Sequence, residues 1–239
     1  RYIILGIGLI TLFASLPYLG SFIYGGDDLN FHLKRIGALA EALKNGQIPN
    51  RIQFSLNNGY GYATPLYYGE ILLFIPAALY LLGVPLQVSY HVFMLLVNLS
   101  TAWIAYYCFK KMTLDWRKGL FGAIYTCATY RLADMWIRSS VGEVCALMFL
   151  PLLLYGFYHL YLMEDEEQYR LSDCLPIIIS LTALIQTHTL SCEMAAVFIV
   201  LFVLIFIKKT FRRKKFLTLV KCVIVVGLLN VWFLYPFIQ

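Results

Sequence analysis

Residues 2–24 read YIILGIGLITLFASLPYLGSFIY, and residues 25–35 continue GGDDLNFHLKR. The first stretch is an apolar run of the length that a helix needs to cross a bilayer, about 20 residues. The second brings out two adjacent carboxylates, Asp27 and Asp28, then His32 and Arg35, where the chain leaves that run. Charges at a membrane boundary are costly unless they face water or serve a function. This junction therefore sets both the fold class and the first place to look for chemistry.

The whole chain extends the same pattern. Hydrophobic residues make up 61% of it and charged residues 13%, against about 45–50% and 25% in soluble domains. That composition is one of an integral membrane protein. The net charge of +6 does not point to nucleic acid, because the cations sit in short loops between apolar runs, where they orient a protein in its membrane. Six cysteines, Cys108, Cys127, Cys145, Cys174, Cys192 and Cys222, form no C-x-x-C pair and read as small core residues. Residues 2–24 lack an A-x-A-type cleavage site and read as a retained anchor. Arg1 at one end and an apolar run at Gln239 at the other lead us to expect the amino-terminal part of a longer chain.

Expected spans are 2–24, 87–108, 118–133, 144–162, 175–189, 191–207 and 217–237. They make residues 1–239 a single all-α transmembrane domain. The stretch 66–82 is also apolar but carries Tyr67, Tyr68, Glu70 and Pro76. Two basic loops, one with Lys110, Lys111, Arg117 and Lys118 and one running from Lys208 to Lys215, belong in the cytoplasm by the positive-inside rule. If Arg1 is also inside, only one crossing can separate residue 25 from Lys110. Residues 87–108 supply it. Residues 25–86 are then the first extracytoplasmic loop, with 66–82 a juxtamembrane or re-entrant helix sheltered by protein. The other arrangement has 66–82 crossing and the amino terminus outside. The acidic run Glu164-Asp165-Glu166-Glu167 reads as a solvated cytoplasmic connector.

Asp27 or Asp28 can cap the helix that follows. Its apolar stripe, Leu29, Leu33, Ile36, Ala40 and Leu43, has the spacing of an amphipathic helix lying on a membrane surface. Asp28, His32 and Arg35 fall at i, i+4 and i+7, one face from which three side chains could converge on a ligand. The plainer reading is a cap followed by a wet face. Downstream, Asn57-Asn58-Gly59-Tyr60-Gly61-Tyr62 is turn chemistry with interleaved tyrosines. Tyr60 and Tyr62 offer flat faces to a sugar or lipid head group, while Tyr67 and Tyr68 fit an interfacial aromatic belt. Between two spans, Arg131, Asp134, Arg138 and Glu143 either pair among themselves or form an anion site, since the guanidinium fork suits phosphate. His188 in Gln186-Thr187-His188 would return to the outer face. No H-E-x-x-H, P-loop, dinucleotide fingerprint or G-x-S-x-G is present, so zinc-protease, ATP-driven and α/β-hydrolase chemistry have no motif to rest on.

Four stretches together resemble the bacterial integral-membrane proteins grouped as 6-pyruvoyl-tetrahydropterin-synthase-related. They are residues 28–36, Gly46-Gln47-Ile48-Pro49 with residues 58–62, residues 130–143, and Gln186-Thr187-His188. Despite the group's name, no pterin-enzyme chemistry is visible. The layout also resembles the GT-C superfamily of polytopic glycosyltransferases, in which a carboxylate follows the first span and a second outer loop carries arginine and aspartate. The resemblance covers most of the chain and is densest at 25–70 and 118–160.

That resemblance implies a cell-envelope enzyme in the bacterial cytoplasmic membrane, its site facing outward. It would transfer a hexosyl or pentosyl group from a polyprenyl-phosphate donor to a glycan, lipid or protein acceptor. Asp28, or Asp27, would match the catalytic carboxylate, acting as general base. Arg131, Asp134 and Arg138 would match the second-loop group. Arg138, with Arg131 or Arg35, would hold the donor phosphate, and His32 and His188 would orient substrates or share protons. The adjacent Asp27-Asp28 departs from a D-x-D spacing. The pair has the oxygen chemistry to take Mg²⁺ or Mn²⁺, and equally one carboxylate could act alone. A transporter or flippase of lipid-linked sugars is the alternative, although the halves show no convincing repeat.

Overall fold

The computed structural model describes residues 1–162 and 169–238. The acidic run 164–167 lies outside them. Among the described residues every regular element is helical. The helices are α1 (Tyr2–Ala14), α2 (Leu29–Lys44), the single turn α3 (Thr64–Tyr67), α4 (Phe74–Leu81), α5 (Leu86–Thr113), α6 (Trp116–Ala123), α7 (Thr129–Ala133), α8 (Val141–Leu162), α9 (Leu171–Ile185), α10 (Thr189–Ile205), the short α11 (Ile207–Thr210) and α12 (Arg213–Ile238). Three of them, α5, α8 and α12, are long and apolar enough to cross a membrane. Among the expected spans, α9 and α10 have only 15 and 17 residues, short of the roughly 20 needed.

Two expected spans are broken, and local chemistry explains why. In 2–24, α1 ends at Ala14 and a 3₁₀ turn follows over Leu16–Leu19. Pro17 can open that turn but cannot continue the preceding helix, having no N–H to give it. In 118–133, Ala128 takes extended backbone at ψ 133° between a 3₁₀ turn, Ile124–Cys127, and α7. The return limb from α5 is therefore assembled from short pieces. Gly119 and Gly122 bring α6 hard against Tyr106 and Phe109 of α5, and Asp115 caps α6 by accepting from the Arg117 N–H at 2.8 Å. Residues 66–82 are likewise discontinuous, a 3₁₀ turn over Ile71–Leu73 running into α4. Their 11 helical residues, Ile71–Leu81, rise about 17 Å, against a hydrocarbon core of about 30 Å.

The helix α2 keeps one exposed face, formed by Asn30, Lys34, Glu41 and Lys44, but His32 and Arg35 are not on it. Leu29, Ile36, Leu39 and Ala40 are buried, and so are His32 and Arg35. The first loop folds back so that α4 covers one side of α2 while Tyr68 and Glu70 meet the other. Its apolar stripe joins a core with Tyr90, Phe93 and Met94 of α5 and Val141, Val144 and Met148 of α8. A second core gathers α8, α9 and α12.

The bundle has two distinct ends. At one, Tyr158 Oη donates to the Met112 carbonyl at 3.1 Å and Tyr161 Oη lies 2.6 Å from Thr210 Oγ1. Both basic loops therefore sit together. At the other, Tyr18 Oη donates to the Met135 carbonyl at 3.0 Å and Thr189 Oγ1 to the Tyr67 carbonyl at 3.1 Å. The polar loops 25–28, 67–70, 134–143 and 186–189 gather at that second end.

Candidate functional site

The site begins where the first loop docks on the second. Gly26 lies against the Ser139 side chain and the Ile137 carbonyl, closely enough that any Cβ there would force them apart. Two residues on, the Asp28 N–H donates to the Arg138 carbonyl at 2.9 Å. Asp28 occupies the N-cap position of α2, but its side chain makes no capping bond. It is half-buried and Asp27 is exposed. The docking partner is a π-helical turn, Asp134–Arg138, closed by Ser139 in the left-handed region at φ 57°. A serine held there costs on the order of 1 kcal/mol, and π-turns frequently mark functional positions.

The turn carries an ion cluster. Arg138 Nη1 is 2.8 Å from Asp134 Oδ1 and 3.1 Å from Glu143 Oε2. Tyr130 Oη makes a short hydrogen bond to Glu143 Oε1. Asp134 is buried, whereas Arg138 is 46% exposed, so the cluster presents its cation outward. Burial, reinforced by the Glu143 charge and only partly offset by Arg138, pushes the Asp134 carboxyl up to about 7. Near neutrality it exchanges its proton, and its hold on Arg138 changes with it.

Tyr68 connects this cluster to α2. Its ring stands 5.9 Å from His32 and 5.8 Å from His188, and stacks at 13° on Phe31. Its hydroxyl reaches Gly142, where any side chain would collide with it. Asp28 and Glu143 both act electrostatically on that phenol, which burial holds well above its ordinary range. His188 caps α10, its Nδ1 lying 2.8 Å from Ser191 Oγ and accepting from the Ser191 N–H at 3.3 Å. Burial lowers its pKa, with Glu143 and Asp28 pulling upward and Arg138 downward. Asp28, Tyr68, Arg138, Glu143 and His188 therefore form one electrostatic neighbourhood at the polar end.

Other residues singled out in the sequence go elsewhere. Arg35, expected beside a substrate, is 1% exposed. It donates to the Tyr68 and Gly69 carbonyls at 3.1 and 2.9 Å, sits 4.1 Å over the Tyr68 ring, and lies 3.7 Å from Glu70. It is an internal strut beneath Tyr68. Arg131, expected on the donor phosphate, is equally buried and donates to Asn98, Thr126 and Thr101 oxygens at 2.8–3.1 Å. It ties α7 to α5 inside the bundle. His32 is buried, and desolvation, then Arg35, then His188 lower its pKa to about 3. That shift favours the neutral imidazole. Tyr60 is 93% exposed at the turn tip, outside the cluster, and Tyr62 pairs its backbone with Gln53 and sets its ring 6.5 Å from Phe31.

Tyr68, Glu70 and Gln186 are the residues whose place the sequence did not disclose. Gly69 packs on the Gln186 backbone with no room for a Cβ, while Gln186 Nε2 donates to Asn230 Oδ1 at 2.9 Å. Glu70 accepts from Gln53 and Asn50 at 2.6 and 3.3 Å. A carboxylate inside an apolar run was the available signal for Glu70. Among the described residues, no three His, Cys, Asp or Glu side chains gather as a metal cage. Asp27 and Asp28 would offer Mg²⁺ or Mn²⁺ a pair of carboxylates, with the remaining positions left to water or substrate phosphate.

No family model matches the chain, and no solved structure matches it. It is 22% identical over 241 residues to an uncharacterized protein of Lactococcus lactis subsp. cremoris (strain MG1363), a match covering 96% of this chain and 38% of that protein. The chain thus spans well under half the length of the relative it matches.

Proposed function

We propose that the protein is a membrane glycosyltransferase of GT-C-like architecture, moving a sugar from a polyprenyl-phosphate donor to an acceptor hydroxyl outside the bacterial cytoplasmic membrane. One observation carries this reading. The backbone bond from Asp28 to Arg138 joins the first-loop carboxylate and the second-loop arginine–carboxylate group into one site. Both lie at the end of the bundle opposite the basic loops, the end that the positive-inside rule turns outward.

The chemistry follows from those groups. Asp28 takes the proton of the acceptor hydroxyl as general base, with the exposed Asp27 as the neighbouring alternative. The acceptor oxygen bonds to the anomeric carbon while the bond from that carbon to the phosphate oxygen breaks. Polyprenyl phosphate leaves with the bonding pair, and its charge is met by the outward-facing Arg138. Protonated Asp134 leaves Arg138 shared with Glu143 alone, so more of its charge is available to phosphate. His188 and Tyr68 line the same neighbourhood and orient the sugar. No nucleotide is consumed, because the donor is already activated.

Replacing Asp28 by Asn tests the reading, since the amide preserves shape and removes the base. Transfer should fall roughly 10²–10⁴-fold with folding intact. Full activity in that variant would contradict the role given to Asp28. Binding of the lipid-linked sugar without any modified acceptor would favour the transporter.

A further inference from the structure

A cavity of about 500 Å³ opens between the first loop and the last helix, lined by Ile48, Asn50, Glu70, Ile71, Phe74 and Trp232 among others. We infer that it is a binding site for a neutral single-chain amphiphile, one hydrocarbon chain ending in a hydroxyl group, such as a monoacylglycerol.

The walls decide the class of ligand. Pockets of about 300–1,000 Å³ with apolar walls and a few placed polar groups are typical small-molecule sites. Here the polar groups are Asn50 and Glu70, both more than nine-tenths buried. Glu70 already accepts from Gln53 and Asn50, and Arg35 lies behind it, 3.7 Å away. Asn50 Oδ1 has no hydrogen-bond partner. A buried acceptor left open is expensive, on the order of 1–3 kcal/mol; Asn50 lines the cavity, and turning its side-chain amide toward a ligand hydroxyl would supply what Oδ1 lacks.

Charge excludes the other head groups. No lysine or arginine lines the cavity, and Arg35 behind Glu70 is already engaged by that carboxyl and by the Tyr68 and Gly69 carbonyls, so an anionic head finds no free cation to pair with. A cationic head gains little, because Arg35 already faces Glu70 and burial pushes that carboxyl up to about 7, leaving the wall close to neutral. A hydroxyl fits both protonation states, donating to the carboxylate or accepting from the acid.

Position agrees with a ligand drawn from the bilayer. Trp232 lies near the far end of α12 from its basic start, and neighbouring Leu228, Leu229 and Val231 are exposed. Arg51 Nη2 donates to the Trp232 carbonyl at 2.6 Å and its guanidinium lies over the Trp232 ring at 5.8 Å, clamping the loop to the helix beside the cavity. The mouth is therefore at interfacial depth, where a glycerol hydroxyl resides while its chain stays in hydrocarbon. The inference is independent of the transfer chemistry proposed above.

The test uses the full-length protein in phosphatidylcholine nanodiscs with a monoacylglycerol carrying a diazirine in its chain. Light should place adducts on Ile71, Phe74 and Trp232, competed by excess monoolein and not by oleic acid. Asn50→Leu should weaken that competition roughly 3- to 10-fold, the loss of one hydrogen bond, and Ile71→Phe should reduce adducts by filling the cavity. Unfolding temperature, read for each variant, separates lost binding from lost folding. Adducts spread evenly over the lipid-facing helices, equal competition by oleic acid, or no adduct in the cavity of the full-length chain would each overturn the inference.

Discussion

In the transfer we propose, Asp28 and Asp134 divide the chemistry between them at the level of single residues, and Asp28→Asn would remove the base. Asp134 sets a pH limit through Arg138, because its carboxyl exchanges its proton near 7. As pH rises through that value, ionised Asp134 draws on the Arg138 charge. KM for the donor should therefore rise over this interval, and Asp134→Asn should remove the dependence, measured as KM against pH for both proteins. Glu70 makes a separate prediction about stability. Its folded pKa, about 7, is raised from 4.5 by burial. Its protonated form therefore favours folding, and that contribution is lost as pH rises from about 4.5 through 7. The loss is on the order of 3 kcal/mol at 1.36 kcal/mol per unit. Thermal unfolding of the wild type should weaken from pH 5 to pH 8, and Glu70→Gln should reduce the trend, leaving the part that Asp134 contributes in the same direction. The spacing of Asp28, His32 and Arg35 correctly puts them on one helical face, yet periodicity does not say what covers that face. Tyr68 and Glu70 return from 30 or more residues downstream to bury it, which no local pattern records.

Two glycines govern how the elements meet. Gly69 touches the Gln186 backbone, and Gly142 touches the Tyr68 hydroxyl. Gly69→Ala must move backbone and should cost about 1–3 kcal/mol, as overpacking does. Gly142→Ala overlaps the Tyr68 hydroxyl and ring, which is packed on Phe31, His32, His188 and Arg35. It should cost a similar amount, about 1–3 kcal/mol, and, in the transfer we propose, also lower turnover, because Tyr68 is displaced from the site. Unfolding temperature and turnover, measured together, check both outcomes. The long helices α5, α8 and α12 were legible in the sequence because each is a continuous apolar run. The breaks at Ser15–Leu19 and Ala128 were not, since hydropathy averages over them while Pro17 and the packing of Gly119 and Gly122 decide the backbone.

At the scale of the whole molecule, charge separates the two ends of the bundle. Lys110, Lys111 and the 208–215 run lie at one end, and the Asp28–Arg138–His188 neighbourhood at the other. Loop charge in the sequence anticipated this separation, because the positive-inside rule depends only on where cations fall along the chain. Cysteines introduced at Asn58 and Lys209 should react with a membrane-impermeant maleimide from opposite sides, Asn58→Cys from outside intact cells. Reaction of both from one side would overturn the topology. The central claim is sugar transfer at the outer end, and turnover by the purified full-length protein tests it most directly. With a polyprenyl-phosphate-linked sugar and candidate acceptors, release of polyprenyl phosphate should be matched by glycosylated acceptor, and both should be lost in Asp28→Asn. Donor binding with no release, or equal release from the Asp28→Asn variant, would contradict it.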